Sequence, residues 1–185
     1  MITTTLSWIA DKIGGTLEGE NMTVSEVSTD TRTLADGAVY LALCGTNFNG
    51  HKFVEQAVAA GASAVIASEP VSTDVPVIYV KDTKDALGAL GAAVKAEVAP
   101  KTVGITGSSG KTTVKEMCAA ILARRGAVLA TAGNFNNDIG VPLTLLRLTP
   151  DHDFAVVEMG ANHLGEIAYT TSLVKPDVAT IVNAA

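Results

Sequence analysis

The sequence predicts an α/β protein: a small N-terminal α/β unit followed by part of a second unit built on a parallel sheet. Three observations lead there. Short apolar runs alternate with helix-patterned stretches, most regularly from Thr102 onward. One of those runs opens directly into a glycine-rich loop and a helix. Hydrophobic residues make up 48% of the 185 positions and charged residues 17%, enough apolar material for a core and too much for a disordered chain.

Leu6, Ile9, Ala10 and Ile13 share one helical face after a threonine and before Gly14-Gly15, which predicts a short amphipathic helix that packs on the core. Val39 to Leu43 reads as a buried strand running into a turn-rich stretch, Cys44 to His51. A helix from about Phe53 to Ala60 should stop at Gly61, and Ala64 to Ala67 and Val77 to Val80 read as strands. Asp82 is placed to cap a helix carrying Leu87, Leu90, Gly91 and Val94 on one face and ending before Pro100. The boundary between units is expected near residue 81, giving domains 1–81 and 82–185.

From Thr102 the predicted order is strand, glycine-rich loop, helix (Thr112 to about Arg125), strand (Val128 to Ala130), loop and helix (Pro142 to about Leu148). A strand (Phe154 to Val157), a helix from about Leu164 and a strand (Val178 to Val182) follow. The last strand is as apolar as a central one, yet only Asn183-Ala184-Ala185 follows, where such sheets carry ligand-facing loops. A chain cut short is the expectation.

Nineteen acidic against 13 basic residues, a net charge of −6 and a pI near 5.0 argue against nonspecific nucleic-acid binding through a basic face. Cys44 and Cys118 are too few and too far apart in sequence for a disulfide framework or a thiolate metal site. The N-terminus lacks a signal-peptide pattern, and no stretch approaches the roughly 18 apolar residues of a membrane helix, so a cytoplasmic location is expected without a membrane partner.

The chemistry concentrates at Gly107-Ser108-Ser109-Gly110-Lys111-Thr112-Thr113. Val103 to Thr106 forms the strand before it, the glycines permit a tight turn with free backbone N–H groups, and the following helix directs its positive end at an anion. Lys111 suits the terminal phosphates and the Thr112 hydroxyl suits Mg²⁺. The strict pattern G-x-x-x-x-G-K-[ST] needs glycine at 105, where this chain has Ile105. The strand–loop–helix context still predicts a mononucleotide-binding P-loop, without choosing one NTPase family.

Glu158 ends an apolar strand that a parallel sheet would aim at the same edge, where it could share Mg²⁺ with Thr112 or merely cap a turn. Asn134-Phe135-Asn136-Asn137-Asp138 is too polar for core; its amides could meet phosphate or sugar oxygens, or simply build a turn. Ser28-Thr29-Asp30-Thr31-Arg32 joins hydroxyls to a guanidinium, apt for a phosphate and a sugar or base edge, with a solvated turn as the competing meaning. His51, His152 and His163 are scattered without metal spacing.

Taken together, these segments resemble the Mur ligases. The likeness is carried by Thr29 to Arg32, Val39 to Gly45, Gly50 to Phe53, Thr106 to Lys115, Ala132 to Pro142 and Glu158 to Ile167, and it runs the length of the chain. A phosphate loop shortened in this way is normal for that family. Asn134 to Pro142 and Glu158 to Ile167 look more like the member that joins D-alanyl-D-alanine to UDP-N-acetylmuramoyl-tripeptide in peptidoglycan synthesis than like the sister that adds the third amino acid.

The resemblance implies a UDP-holding first domain, a central ATPase domain and a third domain lying beyond Ala185. It implies Thr29, Thr31, Arg32, Thr46, Asn47 and Phe48 as contacts for the uridine diphosphate portion, with Asn134 near the substrate. For ATP it implies residues 107–113 and Asn137, with Lys111 and Glu158 catalytic and Thr112 and Glu158 holding Mg²⁺. It further implies an acyl-phosphate route to the amide, a monomer at full length, and an isolated chain that does not turn over. A noncatalytic UDP-muramoyl-peptide binding module is the alternative, and a GTPase is disfavoured because no guanine-reading element is visible.

Overall fold

In the computed structural model, which describes residues 1–45 and 48–184, the chain separates into two compact units, Met1–Leu90 and Gly91–Ala185. The first unit opens with β1 (Thr4–Thr5) and α1 (Leu6–Ile13), then β2 (Thr16–Glu18), β3 (Thr23–Val24), β4 (Val27–Ser28) and β5 (Val39–Leu41). After these come β6 (Cys44–Gly45), β7 (Phe48–Asn49), a 3₁₀ turn (Gly50–Phe53), α2 (Val54–Ala59), β8 (Ala64–Ala67) and β9 (Val77–Tyr79). Its five-stranded sheet has the order β2-β9-β8-β5-β4, parallel except for the β2–β9 pair.

Local chemistry accounts for these elements. The Thr5 side chain accepts from the Trp8 amide to start α1, and Gly14 ends it with φ +64°, a conformation that favours glycine. β5 and β8 are continuous apolar runs because both faces of a parallel strand are covered. Phe53 ends a 3₁₀ turn instead of opening the α-helix, because Asn49 caps that turn through the His51 amide and Gly50 packs on the Leu43 backbone where a Cβ would approach within 2.6 Å. The two-residue strands escaped prediction because so short a run carries no period.

α3 (Thr83–Val98) crosses the division between units. As expected, the Asp82 carboxylate caps it, accepting from the amides of Lys84 at 2.7 Å and Asp85 at 2.9 Å. The second unit then runs β10 (Lys101–Thr106), α4 (Lys111–Leu122), β11 (Val128–Ala130), α5 (Gly140–Leu146), β12 (Phe154–Glu158), α6 (Glu166–Val174) and β13 (Val178–Ile181). All pairings in its sheet, β11-β12-β10-β13, are parallel. The α/β architecture therefore holds in both units.

The last strand lies at the edge of its sheet among the described residues. β13 pairs with β10 on one side only among the described residues, and all four of its residues are exposed, although its composition is that of a central strand. Hydropathy reports what a strand could bury, and pairing decides what it does bury.

Ile66 is fully buried in β8, with β5 and β9 on either side. Ile66→Ala should lower unfolding free energy by about 2–5 kcal/mol in urea denaturation, the usual cost of removing a large buried aliphatic side chain; a loss below about 1 kcal/mol would show that this core repacks freely.

Candidate phosphate and metal site

In the second unit, parallel pairing brings the C-terminal ends of β10 and β12 to one edge of the sheet, with Ile105 paired to Glu158. The phosphate loop leaves that edge two residues later. Gly107 has φ +139° and Gly110 φ +78°, and a Cβ on Gly107 would meet the Asn183 carbonyl oxygen at 2.9 Å. Both positions need glycine. Gly110 is the N-cap of α4, and no side chain caps that helix among the described residues. The first-turn amides of Lys111, Thr112 and Thr113 thus form an uncovered donor set for an anion.

Glu158 is the centre of the arrangement. It is only 2% exposed, and its oxygens accept from Thr112 Oγ1 at 3.0 Å and Asn136 Nδ2 at 2.8 Å. No cationic side chain pairs with it among the described residues. A carboxylate taken out of water needs compensation, and a hydroxyl and an amide supply only part of it. The Thr112 and Glu158 oxygens are hard donors of the kind Mg²⁺ takes.

Lys111 Nζ donates to the Gly107 carbonyl at 2.7 Å, which folds its charge back over the loop. Ser108 and Ser109 face a partner that sequence reasoning did not assign. The Ser108 amide donates to the Asn183 carbonyl at 3.0 Å, the Ser109 amide to Asn183 Oδ1 at 2.8 Å, and Asn183 Nδ2 donates to Ser109 Oγ at 3.0 Å. Asn183 thus clasps the outer half of the loop.

Of the three neighbouring asparagines, Asn136 reaches Glu158. Its carbonyl accepts from the Gly160 amide at 2.7 Å, which secures the backbone beneath it. Asn137 Oδ1 accepts from the amides of Ile139 at 3.3 Å and Gly140 at 2.7 Å at the start of α5, and Asn134 is exposed. Three amides within four residues offer the same chemistry in sequence, and only the fold separates them.

The first unit holds a cavity of about 480 Å³ lined by Thr29, Thr31, Arg32 and Phe48, with Tyr40 and Phe53 added by the fold. Thr46 and Asn47 lie outside the described residues. The Phe48 and Phe53 rings stack with centroids 5.6 Å apart and planes 11° from parallel, leaving partly exposed aromatic surface beside the cavity. Arg32 makes a forked pair with Asp30, Nη2 to Oδ2 at 2.6 Å and Nε to Oδ1 at 2.9 Å. That hydrogen bonding holds the Asp30 carboxyl down from 3.8 to about 2. Tyr40 donates to the Gly50 carbonyl at 3.0 Å, and burial followed by the Asp30 charge pushes its phenol up.

Of the three histidines, His51 lies beside other possible ligand atoms. Ligand atoms of Cys44, His51 and Glu69 lie within 4.8 Å of one another. Both His51 nitrogens are nevertheless engaged, Nδ1 with Asn49 Oδ1 at 2.7 Å and Nε2 with the Ser68 amide at 2.9 Å. Metal binding there would break an existing bond.

The clasp on the loop has a measurable signature. Asn183→Ala should speed amide exchange at Ser109 about tenfold by NMR while Ser108, bonded to a backbone carbonyl, changes less than about twofold. No acceleration at Ser109 would mean that the side chain does not hold the loop.

Residues 23–125 match the Mur ligase family, catalytic domain, and residues 105–185 the Mur ligase middle domain. The chain is 53% identical over 185 residues to the UDP-N-acetylmuramoyl-tripeptide--D-alanyl-D-alanine ligase of Escherichia coli (strain K12), covering 100% of this chain and 41% of that protein. It is 54% identical over 171 residues to the ligase of the same name from Haemophilus influenzae, covering 90% of this chain and 37% of that one. Among solved structures, MurF from Acinetobacter baumannii superposes with a TM-score of 0.93 at 42% identity, over 98% of this chain and 41% of that chain. MurF ligase from Thermotoga maritima, in complex with ADP, gives a TM-score of 0.78 at 34% identity over 86% of this chain and 38% of its own. This chain thus spans about two fifths of the length of the curated relatives it matches. From the profile that runs across more than half of its residues, the chain belongs to the Mur ligase family.

Proposed function

We propose that this chain supplies the UDP-substrate unit and the first part of the ATP unit of an ATP-dependent amide ligase, one that joins D-alanyl-D-alanine to UDP-N-acetylmuramoyl-tripeptide. The reading places the protein in the cytoplasm, in peptidoglycan precursor synthesis. The observation that carries it is the buried Glu158 carboxylate hydrogen-bonded to Thr112 in the first turn after a lysine-bearing phosphate loop. The relatives carry that activity in their names, and one of the similar solved chains is an ADP complex. In this reading residues 1–81 serve the substrate and residues 82–185 serve ATP.

The roles follow from the donors available. The α4 amides and Lys111 bind the triphosphate, Lys111 exchanging its bond to the Gly107 carbonyl for one to a phosphate oxygen. Thr112 and Glu158 hold Mg²⁺, with Asn136 orienting the carboxylate from its other oxygen. Bound there, Mg²⁺ neutralises charge on the phosphates. The reaction brings together two anions, the peptide carboxylate and the γ-phosphate, so Lys111 and the helix terminus act by lowering their repulsion as the acyl phosphate forms. The dipeptide amine then displaces phosphate to give the amide. The sequence assignment of Asn134 and Asn137 to substrate and ATP stays part of the proposal, with Asn137 Oδ1 also accepting from the Gly140 amide at the start of α5.

In the first unit, the cavity beside Phe48 and Phe53 takes the uridine diphosphate portion, with Arg32 for the diphosphate and Thr29 and Thr31 for the sugar or base edge. Thr46 and Asn47 complete that proposed contact set.

Joined to the remaining length of the Escherichia coli relative, this chain should release phosphate from ATP only when both the UDP-tripeptide and the dipeptide are present. Lys111→Ala in that fusion should abolish release. Release that ignores the dipeptide would instead favour a plain NTPase. In the chain alone, Arg32→Ala should raise the Kd for UDP about tenfold, the usual loss of a charge-assisted hydrogen bond. Its thermal midpoint should stay put, since the Arg32–Asp30 pair is exposed. Unchanged UDP affinity would remove Arg32 from the pocket's function.

A further inference from the structure

Lys115 is a lysine that the proposed chemistry does not use, and it is among the most deeply buried side chains in the protein, at 2% exposure. It stands one helical turn beyond Lys111 on α4, so both extend from the same face of that helix. Its ammonium donates to the Thr131 carbonyl at 2.7 Å and pairs with Glu116 at 2.9 Å, and the Glu116 side chain is itself 67% exposed. A surface carboxylate offers little reason to bury an ammonium, since packing an apolar chain in the same volume usually costs nothing or gains stability.

What Lys115 grips is informative. Thr131 follows β11 and is 2% exposed. Its amide donates to the Val156 carbonyl at 3.1 Å, and its Oγ1 accepts from the Glu158 amide at 2.9 Å. Thr131 therefore connects, through three separate polar groups, to α4, to the middle of β12 and to Glu158 itself. Lys115 and Thr112 lie on one helix, while Thr131 and Glu158 lie on neighbouring chain segments of the sheet.

We infer that Lys115 is a positioning residue for the metal pair: by bolting α4 to Thr131 it sets the separation of the Thr112 hydroxyl and the Glu158 carboxylate. This rests on the reading of Thr112 and Glu158 as Mg²⁺ ligands. A loosened bolt leaves the phosphate loop and the α4 amides intact, so nucleotide binding without metal survives. The part lost is the gain in affinity that Mg²⁺ confers. Outer-shell groups around metals typically contribute on the order of 10–100-fold in affinity when removed.

The test is calorimetric titration of ATP into this 185-residue chain, in excess Mg²⁺ and again in EDTA, with Lys115→Met and Lys115→Arg beside the wild type. Methionine keeps the unbranched apolar stem without the charge, and arginine keeps a donor. Lys115→Met should weaken binding about tenfold in Mg²⁺ and less than about twofold in EDTA, with Lys115→Arg recovering most of the difference. An unchanged Mg²⁺ affinity, or an equal loss in both buffers, overturns the inference. If Lys115→Met does not fold, Lys115→Gln, which removes the charge and shortens the reach to the Thr131 carbonyl, makes the same measurement and should lose the Mg²⁺ gain while keeping the affinity in EDTA. A wild type that binds ATP equally with and without Mg²⁺ refutes the metal reading, and this inference with it; a wild type that shows the gain isolates the outcome to Lys115.

Discussion

Glu158 has to be carried into a nearly dry position at the end of a parallel strand, and the surrounding arrangement in the second unit answers that requirement. Its backbone amide is taken by Thr131, one oxygen by Thr112 and the other by Asn136, so three segments converge on a single residue. The parallel register between β10 and β12 makes this possible, because it ends both strands at the same edge and starts the phosphate loop beside the carboxylate. Moved by one residue, Glu158 would point to the opposite face of the sheet.

The loop above it is held in two halves. Its inner half is governed by helix α4, whose first amides have no side-chain cap and whose N-cap glycine sits at positive φ. Its outer half is governed by Asn183, which occupies the Ser108 and Ser109 amides. Division of labour of this kind leaves the strongest anion donors uncommitted while the turn itself stays ordered.

The first unit handles its candidate ligand by different means. Its cavity joins a stacked phenylalanine pair to a guanidinium already paired with Asp30. Aromatic faces suit a flat, weakly polar group, whereas a fork of N–H donors suits a diphosphate. Because the ion pair is exposed, it orients Arg32 without contributing appreciably to folding.

Much of this organisation is legible in the amino-acid sequence. The order of the longer helices and of the apolar strands, the Asp82 cap, the phosphate loop and the strand-end glutamate all follow from local patterns: apolar period, a glycine–lysine–threonine run, and a carboxylate at the end of an apolar stretch. Such signals are local because they depend on backbone conformation and on residues within one or two turns of each other. Tertiary structure alone chose Asn136 over its neighbours for Glu158, joined Asn183 to a loop more than seventy residues earlier, added Tyr40 and Phe53 to the first-unit cavity, and buried Lys115 against Thr131. Each of those depends on which strands pair and in what register, and a contact made across a sheet leaves no periodic trace in either of the segments that make it.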